Sequence, residues 1–212
     1  FGMHLASYER FADELPESVL DEEAAKYFAN ILLPLVNPIK KALDKLKSLN
    51  VPIEVVAPDH GPIWRREIGA VIDRYARWCE QPRRNKAIIV YDTRWNATDL
   101  MARAVGEGLA AGGAQTRLYS LKSANRSDLA TEILDAGALV VGAPTINGEA
   151  FPTLHDAMSY LRGLKPKGLI GAAFGSYGWG GEGGKDLRDI LKEMNVELVE
   201  AEPIRCKYGP DA

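Results

Sequence analysis

The stretch KAIIVYDTRWNATDLMARAV, residues 86–105, decides the fold. It opens on a continuous apolar run, residues 87–91, with no alternation of polar and apolar side chains. Such a run reads as a strand of a parallel sheet buried on both faces. A polar loop follows, and then a helical segment from Asn96 to the glycines at 112 and 113. Strand, polar loop and helix in that order are the first half of a βαβ unit.

The same order continues toward the C-terminus. AQTRLYSL, GALVVGAP, KGLIGAAFGS and VELVEAEPIRC read as four further strands. SDLATEILDA, opened by Ser127, FPTLHDAMSYLRGL and GGKDLRDILKEMN read as the helices between them. Five strands separated by helix-length segments predict an α/β fold with a doubly wound parallel sheet. Upstream the pattern differs. DEEAAKYFANILLPLVNPIKKALDKLKSLN is helical, with acidic residues from Asp21 at its start, and Pro34 and Pro38 divide it in two. IEVVAP reads as a short strand, DHGP as the turn after it, and RREIGAVIDRYARWCE as an amphipathic helix. QPRRN then reads as a linker. The domain boundary is therefore expected at 84/85, with one domain over 1–84 and a second over 85–212.

Composition narrows the function classes. Hydrophobic residues make up 46% of the 212 positions and charged residues 26%, with a net charge of −3. That is an ordinary globular balance, without the basic stripe of a nucleic-acid binder. No apolar run approaches the ~18 residues of a membrane span. Cys79 and Cys206 form no CxxC pair, which fits a reducing cytoplasm. The chain opens on FGMHLASYERF without a signal-peptide pattern, and both ends are expected to lie inside a longer protein.

In open α/β sheets ligands sit beyond the carboxyl ends of the strands. Three loops there suit a ligand. DTRWNAT offers the hydroxyls of Thr93 and Thr98, the Asn96 amide and the free N–H groups of a helix start. That set attracts a phosphate without a lysine. It is neither GxGxxG nor a Walker loop, and a capped helix without a ligand is the alternative. Pro144, Thr145, Ile146, Asn147 and Gly148 would present a shaped backbone to a flat ring. In FGSYGWGGEGG, glycines surround Tyr177 and Trp179, two aromatics suited to stacking on a planar ring. An aromatic-bearing surface turn is the alternative there.

A phosphate pocket beside a flat aromatic pocket resembles the flavodoxin family over residues 86–206. The resemblance implies a sheet of order 2-1-3-4-5 and bound FMN. By position, Thr93, Arg94, Trp95, Asn96, Ala97 and Thr98 would hold the phosphate. Pro144, Thr145, Ile146, Asn147 and Gly148, together with Ser176, Tyr177, Gly178, Trp179, Gly180 and Gly181, would border the isoalloxazine ring. Arg94 and Trp95 depart from the small residues usual in flavodoxin phosphate loops.

The two regions together resemble the flavodiiron proteins. FGMHLASYERFADEL, KYFANIL, PDHGPIW, the YDT-W--T--MA loop and GSYGWGGE carry that likeness over essentially the whole chain. It implies that residues 1–84 are the C-terminal piece of a metallo-β-lactamase-like domain. It implies a di-iron site whose last ligand is His60, its other ligands lying upstream of Phe1. His4 and His155 match no ligand position, and no residue of this chain is assigned a catalytic role. The implied activity is reduction of dioxygen to water, nitric oxide to nitrous oxide, or both, with electrons from FMN. The implied partners are a second copy in a head-to-tail homodimer and an electron donor: rubredoxin, reduced coenzyme F420 or a flavin reductase. The alternative is a flavodoxin-like electron carrier without substrate chemistry. A hydrolase using His60 at a zinc pair is a third reading, which leaves the flavin-binding half without a role.

Overall fold

The computed structural model describes residues 1–208. The chain folds as two compact units, Phe1–Pro82 and Arg83–Ala212.

The first unit is built from α1 (Glu17–Tyr27), α2 (Val36–Leu49) and α3 (Ile68–Glu80). Between α1 and α2 the backbone widens into a π turn, Phe28–Leu32, and then tightens into a 3-10 turn, Leu33–Leu35. Pro34 supplies no N–H to the helical ladder, which accounts for the break. Pro38 falls inside the first turn of α2, where a missing N–H is tolerated. α1 begins earlier than the acidic run at Asp21 suggests. It starts at Glu17, after Pro16 at φ −61°. Phe28, Tyr75 and Trp78 form the aromatic centre, with ring centroids 5.3–5.4 Å apart. The Tyr75 hydroxyl donates to the Gly2 carbonyl at 3.2 Å, and burial pushes its pKa up.

IEVVAP is not a strand. Only Val56 pairs, through two 2.8 Å bonds with Trp64, while Val51 and Val55 are exposed. Pro52 precedes the run and Pro58 ends it, and neither can donate to a ladder, so pairing stays at a single bridge.

The second unit is the α/β sheet. Its strands are β1 (Lys86–Tyr91), β2 (Gln115–Ser120), β3 (Ala138–Ile146), β4 (Glu149–Ala150), β5 (Ile170–Tyr177), β6 (Glu197–Leu198) and β7 (Ile204–Lys207). The parallel order is β2-β1-β3-β5-β6, with β7 also parallel to β5 and β4 antiparallel to β3. This is the expected 2-1-3-4-5 arrangement with two local differences. The fifth position is split into β6 and β7 on either side of residues 199–203. The extra hairpin β3–β4 turns at Asn147 (φ 53°) and Gly148 (φ 82°). Asn-Gly with both residues at positive φ makes a tight two-residue hairpin turn.

β1 is buried along its whole length, as the apolar run requires. α4 (Ala97–Ala111) packs on one face over Ile89, Tyr91, Val140 and Phe174. α6 (Pro152–Leu164) packs against both α5 (Arg126–Ile133) and α7 (Glu182–Glu193). Asn125, not Ser127, caps α5: its side chain accepts the Ser127 N–H at 2.8 Å. At the amino end of β1 the buried Lys86 Nζ contacts Glu132 Oε2 (2.5 Å) and Asp135 Oδ1 (2.7 Å).

At the centre of the sheet the Phe174 ring lies across Gly142. A Cβ built on Gly142 would stand 2.1 Å from Phe174 Cζ. Phe174 is fully buried and has nowhere to move. Gly142→Ala is expected to cost about 1–3 kcal/mol of stability through overpacking. Denaturant unfolding of the variant checks this, and an unchanged midpoint would show that the ring is free to shift.

Candidate functional site

The carboxyl ends of β1, β3 and β5 converge on one cleft of about 240 Å³. Arg94, Trp95 and Ala97 line it from the β1–α4 loop. Pro144, Thr145 and Ile146 line it from β3, and Ser176, Tyr177 and Gly178 from β5. Tyr208 completes the wall, its N–H donating to the Tyr177 carbonyl at 2.6 Å.

The β1–α4 loop is fixed from below. Asp92 is buried at 3% exposure. Its Oδ1 accepts the Thr93 N–H and its Oδ2 accepts the Thr153 hydroxyl, both at 2.6 Å. Asn96 then takes φ 65°, a left-handed turn that asparagine tolerates, and α4 begins at Ala97. The first turn of α4 leaves its N–H groups without intrahelical acceptors. Thr93 is also buried, and its hydroxyl has no hydrogen-bond partner. Thr98 is fully buried, its hydroxyl 2.8 Å from that of Ser176. This bond ties the loop to the end of β5. Arg94 lies 5.6 Å over the ring of Trp95, which is 68% exposed. Asp99 would oppose an anion at this helix start, but it is engaged. Tyr91 donates to it at 2.5 Å and Arg103 at 2.7 Å.

The other expected residues divide. Pro144, Thr145 and Ile146 belong to β3 itself, with Pro144 in register with Ser176. Asn147 and Gly148 form the exposed hairpin tip. The glycines after Trp179 serve packing as well as access. Gly183 and Gly184, in the first turn of α7, are buried. A Cβ on Gly183 would meet the Glu149 carbonyl and Thr145 Oγ1 at 3.0 Å. Gly183 N–H donates to Thr145 Oγ1 at 3.1 Å, fixing one wall of the cleft. Gly181 packs against Arg205, and Gly180 sits beside the Glu182 carboxylate. Trp179 is 99% exposed and lies outside the cleft lining. Sequence reading does not single out Tyr208. Its signal is position alone: an aromatic just beyond the strand end that neighbours β5.

An anion site at a helix start, beside an aromatic cleft at the point where strand order reverses, is a nucleotide-binding arrangement. The flavodoxin family pattern matches residues 89–211. The chain belongs to the flavodoxin family. Flavodoxin domains bind FMN, and the site fits it. The unpartnered Thr93 hydroxyl and the free N–H groups of α4 match a phosphate, and the Tyr177–Tyr208 wall matches a flat ring.

The whole chain is also similar to flavodiiron proteins. It is 46% identical over 203 residues to a nitric oxide reductase of Moorella thermoacetica, covering 96% of this chain and 51% of the relative. The structure of rubredoxin oxygen:oxidoreductase from Desulfovibrio gigas matches at TM-score 0.94 and 36% identity, over 99% of this chain and 52% of that one. The flavodiiron protein of Giardia intestinalis matches at 0.92 and 30%, again over 99% and 52%. These findings bear out the resemblance read from the motifs. The chain spans about half the length of the curated relatives it matches.

In the first unit, His60 is exposed on a turn closed by Gly61 at φ 89°. Its carbonyl accepts the Met3 N–H at 3.2 Å, which brings His4 within 5.4 Å, ring to ring. Tyr27 lies 4.9 Å from His4 and 6.2 Å from His60. Among the described residues, no three His, Cys, Asp or Glu side chains gather closely enough to hold a metal ion. The residues present therefore do not make up a di-iron site by themselves.

Arg103 first, and Tyr91 second, hold the Asp99 carboxyl below the usual range. A depressed carboxylate adds stability above its unfolded value of ~3.9, and that stability is lost as pH falls through the lower folded value. Asp99→Asn is expected to flatten the acid limb of the stability curve below that unfolded value. Urea unfolding across a pH series reads it, and parallel acid limbs would remove Asp99 from the balance.

Proposed function

We propose that the cleft of the second unit holds FMN and that the chain is the flavin-bearing part of a flavodiiron-type oxidoreductase. The observation that carries this is the buried, unpartnered Thr93 hydroxyl at a helix start beside an aromatic cleft. Support comes from flavodiiron structures that match the chain over 99% of its length.

Thr93, Asn96, Thr98 and the N–H groups of Arg94, Trp95 and Ala97 would take the phosphate. Donors here are set before the ligand arrives, because Asp92 and Ser176 already hold the loop. Arg94 adds a positive charge on the rim. Pro144 to Gly148 and Ser176 to Gly181 would border the isoalloxazine, with Tyr208 beside Tyr177. Trp95 and Trp179, both exposed, would close over the ring. When bound, FMN supplies electron transfer in single or paired steps. The protein contributes placement and exclusion of water from one ring face.

In this reading the first unit is the C-terminal piece of a metallo-β-lactamase-like domain, and the domains divide at 84/85. His60 contributes one ligand to iron whose other ligands come from outside this chain. The longer protein reduces dioxygen to water, nitric oxide to nitrous oxide, or both. Its electron donor is rubredoxin, reduced coenzyme F420 or a flavin reductase. The names of two relatives, a rubredoxin-oxygen oxidoreductase and a coenzyme F420 oxidase, favour the first two. A head-to-tail pair would bring the flavin of one copy near the iron of the other. Among the described residues no helix is long and apolar enough to cross a membrane, and Cys79 and Cys206 are unpaired. A cytoplasmic location fits both. The second reading, an electron carrier, is favoured by one observation: every residue of the cleft lies in the second unit.

Titration of the purified chain with FMN, followed by quenching of flavin fluorescence, tests the cofactor. Thr93→Val and Thr98→Ala are each expected to weaken FMN about tenfold through a lost phosphate contact, leaving riboflavin unchanged. Trp179→Ala is expected to weaken both ligands. A wild-type chain that binds neither ligand sinks the flavin reading. A longer protein that holds FMN but no iron, and consumes neither dioxygen nor nitric oxide with a reductant, leaves only the carrier.

A further inference from the structure

The β3–β4 hairpin is two residues deep, with its tip exposed. A ladder of two residue pairs is a weak hold on a ligand-binding wall. The structure holds the hairpin by other means. Ala150 N–H, on its return strand, donates to Asp186 Oδ2 at 2.9 Å. Asp186 lies on the second turn of α7. His155 Nε2, on α6, stands 2.9 Å from the same oxygen, close enough for an ion pair though not aligned as a hydrogen bond. Thr145 Oγ1, on the outgoing strand, accepts the Gly183 N–H of the same α7. Both strands of the hairpin are therefore bonded to one helix.

The link reaches further. Two residues before His155, Thr153 bonds to Asp92 beneath the phosphate loop. One turn of α6 thus contacts both carboxylates: Asp92, which holds the anion side of the cleft, and Asp186, which holds its ring side.

From this geometry we infer that Asp186, backed by His155, is a positioning residue. It fixes the 146–149 hairpin as the ring-side wall of the cleft and so sets flavin affinity without touching the flavin. This rests on the proposal that the cleft binds FMN. The carboxylate is shared by a backbone N–H and an imidazole, so its two partners are separable by substitution. Asp186→Ala removes both. Asp186→Asn keeps an oxygen for the Ala150 N–H and gives up only the charge beside His155.

Two measurements on the 212-residue chain test the inference. The first is amide hydrogen exchange over residues 146–150, read without flavin. Asp186→Ala should speed exchange at Ala150 about fivefold or more, and Asp186→Asn should stay within about twofold of wild type. The second is the affinity for FMN and for riboflavin, with the visible spectrum of the bound flavin. Asp186→Ala should weaken both ligands about fivefold and alike, because the lost contact lies on the ring side, and should shift the spectrum. Asp186→Asn should restore affinity and spectrum. Exchange unchanged in Asp186→Ala overturns the inference. So does faster exchange with unaltered affinity and spectrum in a chain whose wild type binds FMN. A loss confined to FMN also overturns it, by placing the effect on the phosphate loop. A wild-type chain that binds neither ligand overturns the flavin reading, and this inference with it.

Discussion

The buried carboxylate of Asp92 is the constraint around which the cleft is built. It follows the most buried strand of the sheet, where a charged group is costly unless its oxygens are hydrogen-bonded. Its two short bonds meet that requirement, and each has a structural consequence. The bond to the Thr93 N–H anchors the start of the loop at the strand end, after which Asn96 takes its left-handed conformation and α4 starts. The bond to the Thr153 hydroxyl fastens the first turn of α6, which begins at the other side of the cleft. One side chain thus sets the distance between the loop that would meet a phosphate and the elements that would meet a ring. The neighbouring Thr93 hydroxyl is buried by the same turn and left without a partner, a cost that a bound phosphate oxygen would remove.

Much of this was legible in the sequence, and the reasons differ by element. The parallel sheet could be read because strands buried on both faces lose polar alternation, as residues 87–91 and 139–143 do. The helices could be read from periodicity and breakers, and Pro34 falls in the tightened turn that separates α1 from α2. IEVVAP misled because strand composition does not supply a partner strand, and Pro52 precedes it while Pro58 ends it. The fifth strand misled for a related reason. Val196 and Ile204 share an apolar character, but Glu200, Ala201, Glu202 and Pro203 between them leave the ladder, and only the ends pair with β5.

The site was legible as three loops and not as contacts. Local composition marked residues 93–98, 144–148 and 176–181. It did not show that Pro144, Thr145 and Ile146 lie within β3, although Asn147-Gly148 is a strong hairpin signal. Tyr208 enters from a strand whose register no local pattern reveals. The proximity of His4 to His60 follows from the pairing of residues 3–12 with residues 60–63, far apart in the chain, in which the Met3 N–H donates to the His60 carbonyl. Such long-range placements follow from packing, to which periodicity is blind.

The glycine-rich segment after β5 shows how one composition serves two demands at once. Glycines at 178, 180 and 181 leave the backbone open near the cleft. Gly183 lets α7 approach β3 and β4, and Gly184 lets it approach Pro203, at distances that would crowd a Cβ. That approach brings Gly183 N–H to Thr145 and Asp186 to Ala150, so the helix becomes the support of the hairpin. A reading that assigns all five glycines to ligand access accounts for the loop but not for the helix. A reading from packing alone leaves Tyr177 and Trp179 unexplained. The two demands meet at the N-terminus of α7, because the wall of a ligand cleft has to be both open to the ligand and fastened to the core.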